Sequence, residues 1–333
     1  MVAWYTKAAV QGLLSVLPDR VAQRTNCAFQ THVTRSLRLN NKYVKRKWRR
    51  ARWHVDAWRE YTGGGGSGCG GVGGGGDSGC GGVGAGDHDT FQAVELGTGW
   101  FPITSIGLVL CGAERVITYD VNALASAKTV RSVLKRVNRL IKRGKIVPTS
   151  KRARKALKRV LAESRGADAK TMLAGLGIEV RIGDARTSGL TDGSVDLVCS
   201  TSTLEHIPMP MLTGLLTEFR RIAGDKTVMS HIIDLSDHYA QVDPSITQFN
   251  FLRYSPGRWR LFNNSLHYQN RLRISDYRHV LAETGWEILD EDSSRRPAEE
   301  LRRVPVHTSF SGYAENDLRV VVSRLITRPA ASR

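Results

Sequence analysis

Residues 91–120 read FQAVELGTGWFPITSIGLVLCGAERVITYD. An apolar run, FQAVEL, stops at Gly97. A second apolar stretch over 101–112 closes at Gly112, and RVITYD (115–120) again has the composition of a buried strand. The stretch predicts strand, helix, strand. Strand-like runs return at Ile178–Ile182, Val195–Ser200, Thr227–Ile233, Trp286–Asp290 and Leu318–Ile326, with helices expected at 209–223 and 275–284. Such alternation predicts an α/β fold, a mostly parallel sheet with helices on both faces. Ligands of such sheets bind outside the carboxyl ends of the strands, where strand order reverses.

The strand ends carry acids and glycines. Glu95 stands inside the first end, followed by Gly97-Thr98-Gly99, and two glycines two apart allow a tight turn and close approach to bare backbone. A dinucleotide loop would place a third glycine at position 102, which is Pro. A carboxylate at Glu95 suits a cation better than a pyrophosphate. The second strand ends at Asp120, placed to accept both hydroxyls of a ribose. The third ends in Gly183-Asp184-Ala185, where Asp184 can accept from an adenine amine. The fourth, DLVCSTSTLEHIP (196–208), opens into a polar loop. A sulfonium nucleoside bearing an amino acid matches this set of groups.

In this order VELGTGW (94–100), YDVN (119–122), GDA (183–185) and DLVCSTSTLEHIP resemble the motifs of class I S-adenosylmethionine-dependent methyltransferases. The resemblance is firm over about 91–235 and extends through most of 91–328. It implies a Rossmann-like sheet of seven strands, the last antiparallel, and S-adenosylmethionine as cofactor. It implies that Glu95, Gly97, Thr98 and Gly99 face the methionine part. Asp120 with Val121 would take the ribose, Asp184 with Ala185 the adenine edge, and Ser200 to Thr203, Thr201 among them, would border the methyl-transfer site. The chain departs from the family in Trp100-Phe101-Pro102 after the glycines and in a long basic insertion, about 122–175, between the second and third strands.

Beyond the cofactor, two clusters offer a general base for a hydroxyl acceptor. Glu205-His206 follow the fourth strand. His231, Asp234, Asp237 and His238 follow or close the fifth. Strand alternation keeps these four from converging automatically. The expected catalytic residues are His206, Glu205 and His238. No metal is expected; a metal reading would use Asp234, Asp237 and His238 as hard ligands. The segment 247–273 is aromatic, amide-rich and basic, and the span of about 234–273 is expected to face the acceptor. Asn250, Arg253, Trp259, Asn264, His267 and Gln269 are the expected substrate contacts.

The rest of the chain bounds the setting. Its 333 residues are 41% apolar and 24% charged, which excludes global disorder, and no apolar run reaches the length of a membrane span. Five scattered cysteines without a CxxC argue against a disulfide framework or a zinc site and fit a reducing cytosol. The net charge of +18 predicts anionic surroundings. Residues 1–61 are expected as a basic helical extension that packs on the domain or touches a membrane surface, with an organelle transit peptide as the alternative. Within it, Val44, Trp48, Ala51, Val55 and Trp58 form one helical stripe. Residues 62–86 hold 16 glycines in 25 positions and repeat SGCGGVG, which reads as a flexible tether. Residues 87–328 form the expected methyltransferase domain. The leading expectation is a cytoplasmic enzyme, peripheral to an anionic membrane, that methylates a small or medium hydroxylated or anionic acceptor such as an envelope saccharide or lipid-linked intermediate. An RNA methyltransferase using the basic helices and a catalytically silent cofactor-binding module are the alternatives.

Overall fold

The computed structural model describes residues 3–30, 38–63 and 90–331. Residues 64–86 of the expected Gly-rich tether lie outside them. Seven strands form one sheet: β1 (Phe91–Leu96), β2 (Ala113–Asp120), β3 (Ile178–Ile182), β4 (Val195–Thr201), β5 (Ala223–Asp234), β6 (Trp286–Arg295) and β7 (Val320–Pro329). Their order is β3-β2-β1-β4-β5-β7-β6. β1 to β5 pair in parallel, and β7 runs antiparallel to both β5 and β6. The expected Rossmann-like α/β sheet with its antiparallel last strand is thus present, and its order reverses between β1 and β4.

Among the described residues the α-helices are α1 (Trp4–Leu14), α2 (Asp19–Ala28), α3 (Asn41–Thr62), α4 (Ile103–Leu110), α5 (Ala127–Lys142), α6 (Lys151–Glu163), α7 (Ala169–Ala174), α8 (Met209–Ile222), α9 (Pro256–Arg260), α10 (Ile274–Glu283), α11 (Ala298–Arg302) and α12 (Glu315–Leu318). One core joins α3 to α7 to one face of the sheet, through Trp48, Val55, Ile106, Leu134, Leu157 and Ile178 among others. A second core packs α8 and α10 on the opposite face, through Leu216, Phe219, Tyr277 and Trp286. A third gathers α1, the segment after β5 and the chain before β7 around Tyr239, Phe251 and Trp259.

Local sequence explains the main departures from expectation. The basic insertion is three helices rather than one segment. Gly144 takes a left-handed φ of +64° after α5, and Ser150 and Asp168 cap α6 and α7 by accepting from Ala153 and Thr171 backbone N–H groups. In α5, Val130, Val133, Leu134, Val137 and Ile141 fall at three- and four-residue spacing and are buried. α3 starts at Asn40, whose side chain accepts from Tyr43 N at 2.8 Å, and stops at Gly63 in the left-handed region. Its predicted stripe is buried as read. No helix among the described residues is long and apolar enough to cross a membrane.

Candidate active site

The carboxyl ends of β1, β2 and β3 build a cradle. Gly97 and Gly99 turn the chain out of β1 at φ values of +90° and +62°. Gly97 N donates to Tyr119 O at 2.8 Å, tying the turn to β2. Asp120 accepts from Gly99 N at 2.8 Å and Asn122 N at 3.1 Å. Glu95 is buried, accepts from the Ser105 hydroxyl of α4, and has its carboxyl pushed up by burial. Beside it Lys47 reaches in from α3; burial and the neighbouring Arg50 push its ammonium down, while Glu95 and Glu205 draw it up. A cavity of about 720 Å³ opens over this turn, lined by Trp100, Val121, Leu124 and Ile182 and, from α2, by Gln23 and Cys27. Val121 and Ile182 are 70% and 50% exposed, large apolar side chains open at the strand ends. A Cβ on Gly99 would meet nothing within 4 Å, so its backbone faces open space.

This set fits S-adenosylmethionine. A buried carboxylate and a bare glycine turn suit its methionine part, Asp120 its ribose, and the open apolar pair the faces of its adenine. Five of the expected contact residues already bond or pack within the chain. Asp184 is exposed and its carboxylate is held bidentately by Arg186, and Ala185 is buried under it. Ser200 and Thr201 turn their hydroxyls into the core. Ser200 Oγ lies 2.7 Å from His231 Nδ1, and Thr201 Oγ1 lies 3.0 Å from Nε2 of His54 on α3. Thr98 likewise bonds Thr118, Oγ1 to Oγ1 at 2.7 Å.

Around the ends of β4 and β5 a second chamber holds the expected catalytic groups. Ser202 leaves β4 with φ +54°, a left-handed conformation costly for a residue with a side chain. The turn Leu204–His206 follows. Asn270 clamps it: its backbone N donates to Glu205 O at 2.9 Å, and its Nδ2 donates to Leu204 O and Ile207 O at 3.0 and 2.9 Å. Glu205 is 1% exposed, yet among the described residues neither carboxylate oxygen has a hydrogen-bond partner. Burial pushes its carboxyl up to about 8. His238 Nε2 is also buried and unpartnered, 4.0 Å from Glu205 Oε1 and 3.6 Å from Asp234 Oδ2. Burial alone would lower this imidazole, but Asp234, Glu205 and Asp237 outweigh it and raise it. His206 is open to solvent, with Nδ1 2.6 Å from the Tyr268 carbonyl. His206 and His267 flank His238 at ring-centroid distances of 5.0 and 6.1 Å.

The structure also separates residues that the sequence grouped. His231 is fully buried between β4 and β5, away from His238. Asp237 caps the turn His238–Gln241 through Tyr239 N at 2.8 Å and accepts from Asn250 Nδ2 at 3.0 Å. Asp234, Asp237 and His238 therefore do not converge as a ligand set. Of the expected substrate contacts, only His267 turns an unpartnered nitrogen, Nε2, toward the chamber's histidines. Asn250, Trp259 and Gln269 are buried scaffold: Trp259 Nε1 donates to Gln269 O at 3.3 Å, and Gln269 joins Ser236 O to His238 N at 2.6 and 3.3 Å. Asn264 accepts from Leu266 N at 3.1 Å, and exposed Arg253 lies over the Tyr254 ring. Sequence reading missed Lys47, Arg50 and Lys7. Arg50 reaches Ser202 Oγ at 3.4 Å. Lys7 of α1 is buried over Tyr239, its ammonium pushed down to about 8 by burial against the pull of Asp237. The periodicity of α3 places Lys47 and Arg50 beside the Trp48 stripe, which was the available signal.

Residues 150–226 match a family model described as a methyltransferase domain. No curated protein matches the chain. Among solved structures, a SAM-dependent methyltransferase from Methanosarcina mazei is 14% identical, covering 74% of this chain and 95% of that one, with a TM-score of 0.40. A geranyl diphosphate C-methyltransferase from Streptomyces coelicolor, in complex with Mg2+, geranyl diphosphate and S-adenosyl-L-homocysteine, is 10% identical over 72% of each chain, also at 0.40.

Proposed function

We propose that the chain is a class I S-adenosylmethionine-dependent methyltransferase, a reading supported by the sheet order and by the methyltransferase-domain match over residues 150–226, and that it methylates a small or medium acceptor bearing hydroxyl and anionic groups, such as an envelope saccharide or lipid-linked intermediate. When bound, S-adenosylmethionine supplies a methyl group already activated by a sulfonium charge. The chain's own part is to align donor and acceptor and to exclude water. Glu95, Gly97 and Gly99 would hold the methionine part and Asp120 the ribose.

The observation that carries this reading is the orphaned pair beside the cradle. A buried carboxyl group and a buried imidazole that make no hydrogen bond among the described residues, Asp234 standing 3.6 Å from the imidazole, cost roughly 1–3 kcal/mol each, and a ligand that supplies the hydrogen bonds relieves that cost. An acceptor hydroxyl must lose its proton as its oxygen takes the methyl group. The Glu205–His206–His238 cluster is where this chain can take it. Lys7, Lys47 and Arg50 stand round the same chamber, and among the described residues none has a carboxylate within ion-pair distance. Three such cations favour an acceptor with negative charge. A nucleic-acid acceptor is the second reading, supported by the exposed basic faces of α5 and α6.

The test is a panel of hydroxylated anionic acceptors, with release of demethylated cofactor as the signal. With the acceptor found, His238→Ala and Glu205→Gln are expected to lower turnover about 100-fold or more. Cofactor affinity by calorimetry should stay within about twofold, since neither residue lines the cradle. Unchanged turnover in both variants would overturn the reading.

A further inference from the structure

We propose that Glu205, His206 and His238 form a binding site for one divalent first-row transition ion on the acceptor side of the cleft. One ligand atom from each of the three lies within 4.8 Å of the other two. Metal–ligand bonds of about 2.0–2.2 Å place neighbouring ligand atoms of a tetrahedral site roughly 3.4 Å apart, so the side chains need close by at most about 1.4 Å. The independent sign of a ligand is Glu205 itself, 1% exposed and, among the described residues, with no hydrogen bond to either oxygen; it lies 4.0 Å from His238 Nε2, an atom that also makes no hydrogen bond and has Asp234 Oδ2 at 3.6 Å. Lys47 and Arg50 feel the Glu205 charge but make no ion pair with it among the described residues.

The surroundings orient the three ligands as a metal site requires. His206 Nδ1 donates to the Tyr268 carbonyl, so its proton sits there and Nε2 keeps its lone pair. Asn270 fixes the turn that carries Glu205 and His206, and Gln269 Oε1 accepts from the His238 backbone. Both amides come from the aromatic segment that closes the chamber. Two imidazoles with one carboxylate select zinc, iron or a neighbouring ion over magnesium or calcium, which take oxygen ligands. Three protein ligands leave positions open for an acceptor's oxygen atoms. The ion's role, though not its binding, rests on the assignment of this chamber to the acceptor.

The experiment titrates tag-free, EDTA-dialysed full-length protein with ZnCl2 by calorimetry and with CoCl2 by visible absorption. One equivalent of each is expected, with cobalt d–d bands that shift when the acceptor is added. His206→Ala is the decisive variant, because an exposed side chain can be removed without unfolding the core. It and His238→Ala should weaken zinc binding roughly 100-fold or more. His279→Ala, at an exposed position on α10 paired with Glu283, should leave binding unchanged. Equal zinc affinity in wild type and His206→Ala would overturn the site. If zinc binding fails while His238→Ala still cuts turnover, the ion is excluded and the acceptor chamber stands. Tight binding of zinc with turnover indifferent to His238→Ala would instead keep the ion and overturn the assignment of the acceptor.

Discussion

Gly97 sits at φ +90°, and a Cβ added there would overlap the Thr203 hydroxyl, which donates to Leu96 O at 3.2 Å. Gly97→Ala therefore carries two penalties, about 1–2 kcal/mol for the left-handed backbone and a displaced Thr203 at the mouth of the chamber. Gly144, at φ +64° with nothing within 4 Å of a Cβ, isolates the first penalty far from the cleft. Calorimetry with the cofactor should show affinity reduced about tenfold or more in Gly97→Ala and unchanged in Gly144→Ala, while both lose stability. Equal affinities would show that the turn does not shape the cradle. His231 makes a different prediction. Burial holds its imidazole down to about 3, against about 6.5 when unfolded. Between those values the unfolded chain binds the extra proton, so acidification destabilises the fold by about 1.4 kcal/mol per pH unit from this group. Glu95, Glu205 and Asp237 are pushed up and act in the opposite sense. The test is thus the difference between wild type and His231→Gln in urea unfolding. From pH 6.5 to 5 wild type should lose stability relative to the variant along that slope. Parallel curves would place the imidazole in water.

Helix α3 is the element in which legible and illegible parts of the sequence meet. Its apolar stripe was readable from three- and four-residue spacing alone, because burying Trp48 and Trp58 dominates the helix's energetics. The docking direction was not readable. Six basic side chains within the eight residues 45–52 look like a solvated face, and only the packing of α3 across β4 and β5 turns Lys47, Arg50 and His54 inward. The strand-end acids Glu95 and Asp120 were legible because the topology fixes where such residues point. Ser200 and Thr201 were not, since their partners His231 and His54 come from elements 31 and 147 residues away. The same distance effect hid the scaffold role of Trp259 and Gln269, whose amide and indole groups look like ligand contacts until the fold supplies backbone partners. The crossing of α3 and α4 gives a prediction of its own. A Cβ on Gly107 would lie 2.5 Å from the Ala51 Cβ, so the helices approach to backbone distance there. Gly107→Val should force them apart and cost about 1–3 kcal/mol, and by moving Lys47 it should weaken cofactor binding as well. Wild-type stability in urea unfolding would show that α3 is not held at this crossing.

At the scale of the whole molecule, charge of +18 is distributed unevenly. In α6, Ala153, Leu157 and Val160 face the core, which leaves Lys151, Arg152, Arg154, Lys155, Lys158 and Arg159 exposed on one helix. α5 and the turn after it add Lys135, Arg139, Lys142, Arg143 and Lys145, also exposed. The Debye length of about 8 Å at physiological salt lets such a surface act as a patch on an anionic layer, where each basic residue contributes about 1 kcal/mol. These faces lie at the amino end of the sheet, where Arg152 pairs with Glu114 at the start of β2 and Arg159 donates to the Gly175 carbonyl before β3, so a surface that holds them stands opposite the cleft. The protein is expected to sediment with vesicles containing phosphatidylserine at 0.1 M salt, to be released by 0.5 M salt, and to ignore phosphatidylcholine vesicles. Replacing Lys151, Arg154, Lys155 and Lys158 with Gln should reduce vesicle binding at least tenfold while leaving the urea unfolding curve in place, because these four side chains are exposed and, among the described residues, make no hydrogen bond or ion pair, unlike Arg152 and Arg159. Salt-sensitive binding to single-stranded RNA with no vesicle binding would reverse the choice of surface and make a nucleic acid the acceptor to pursue.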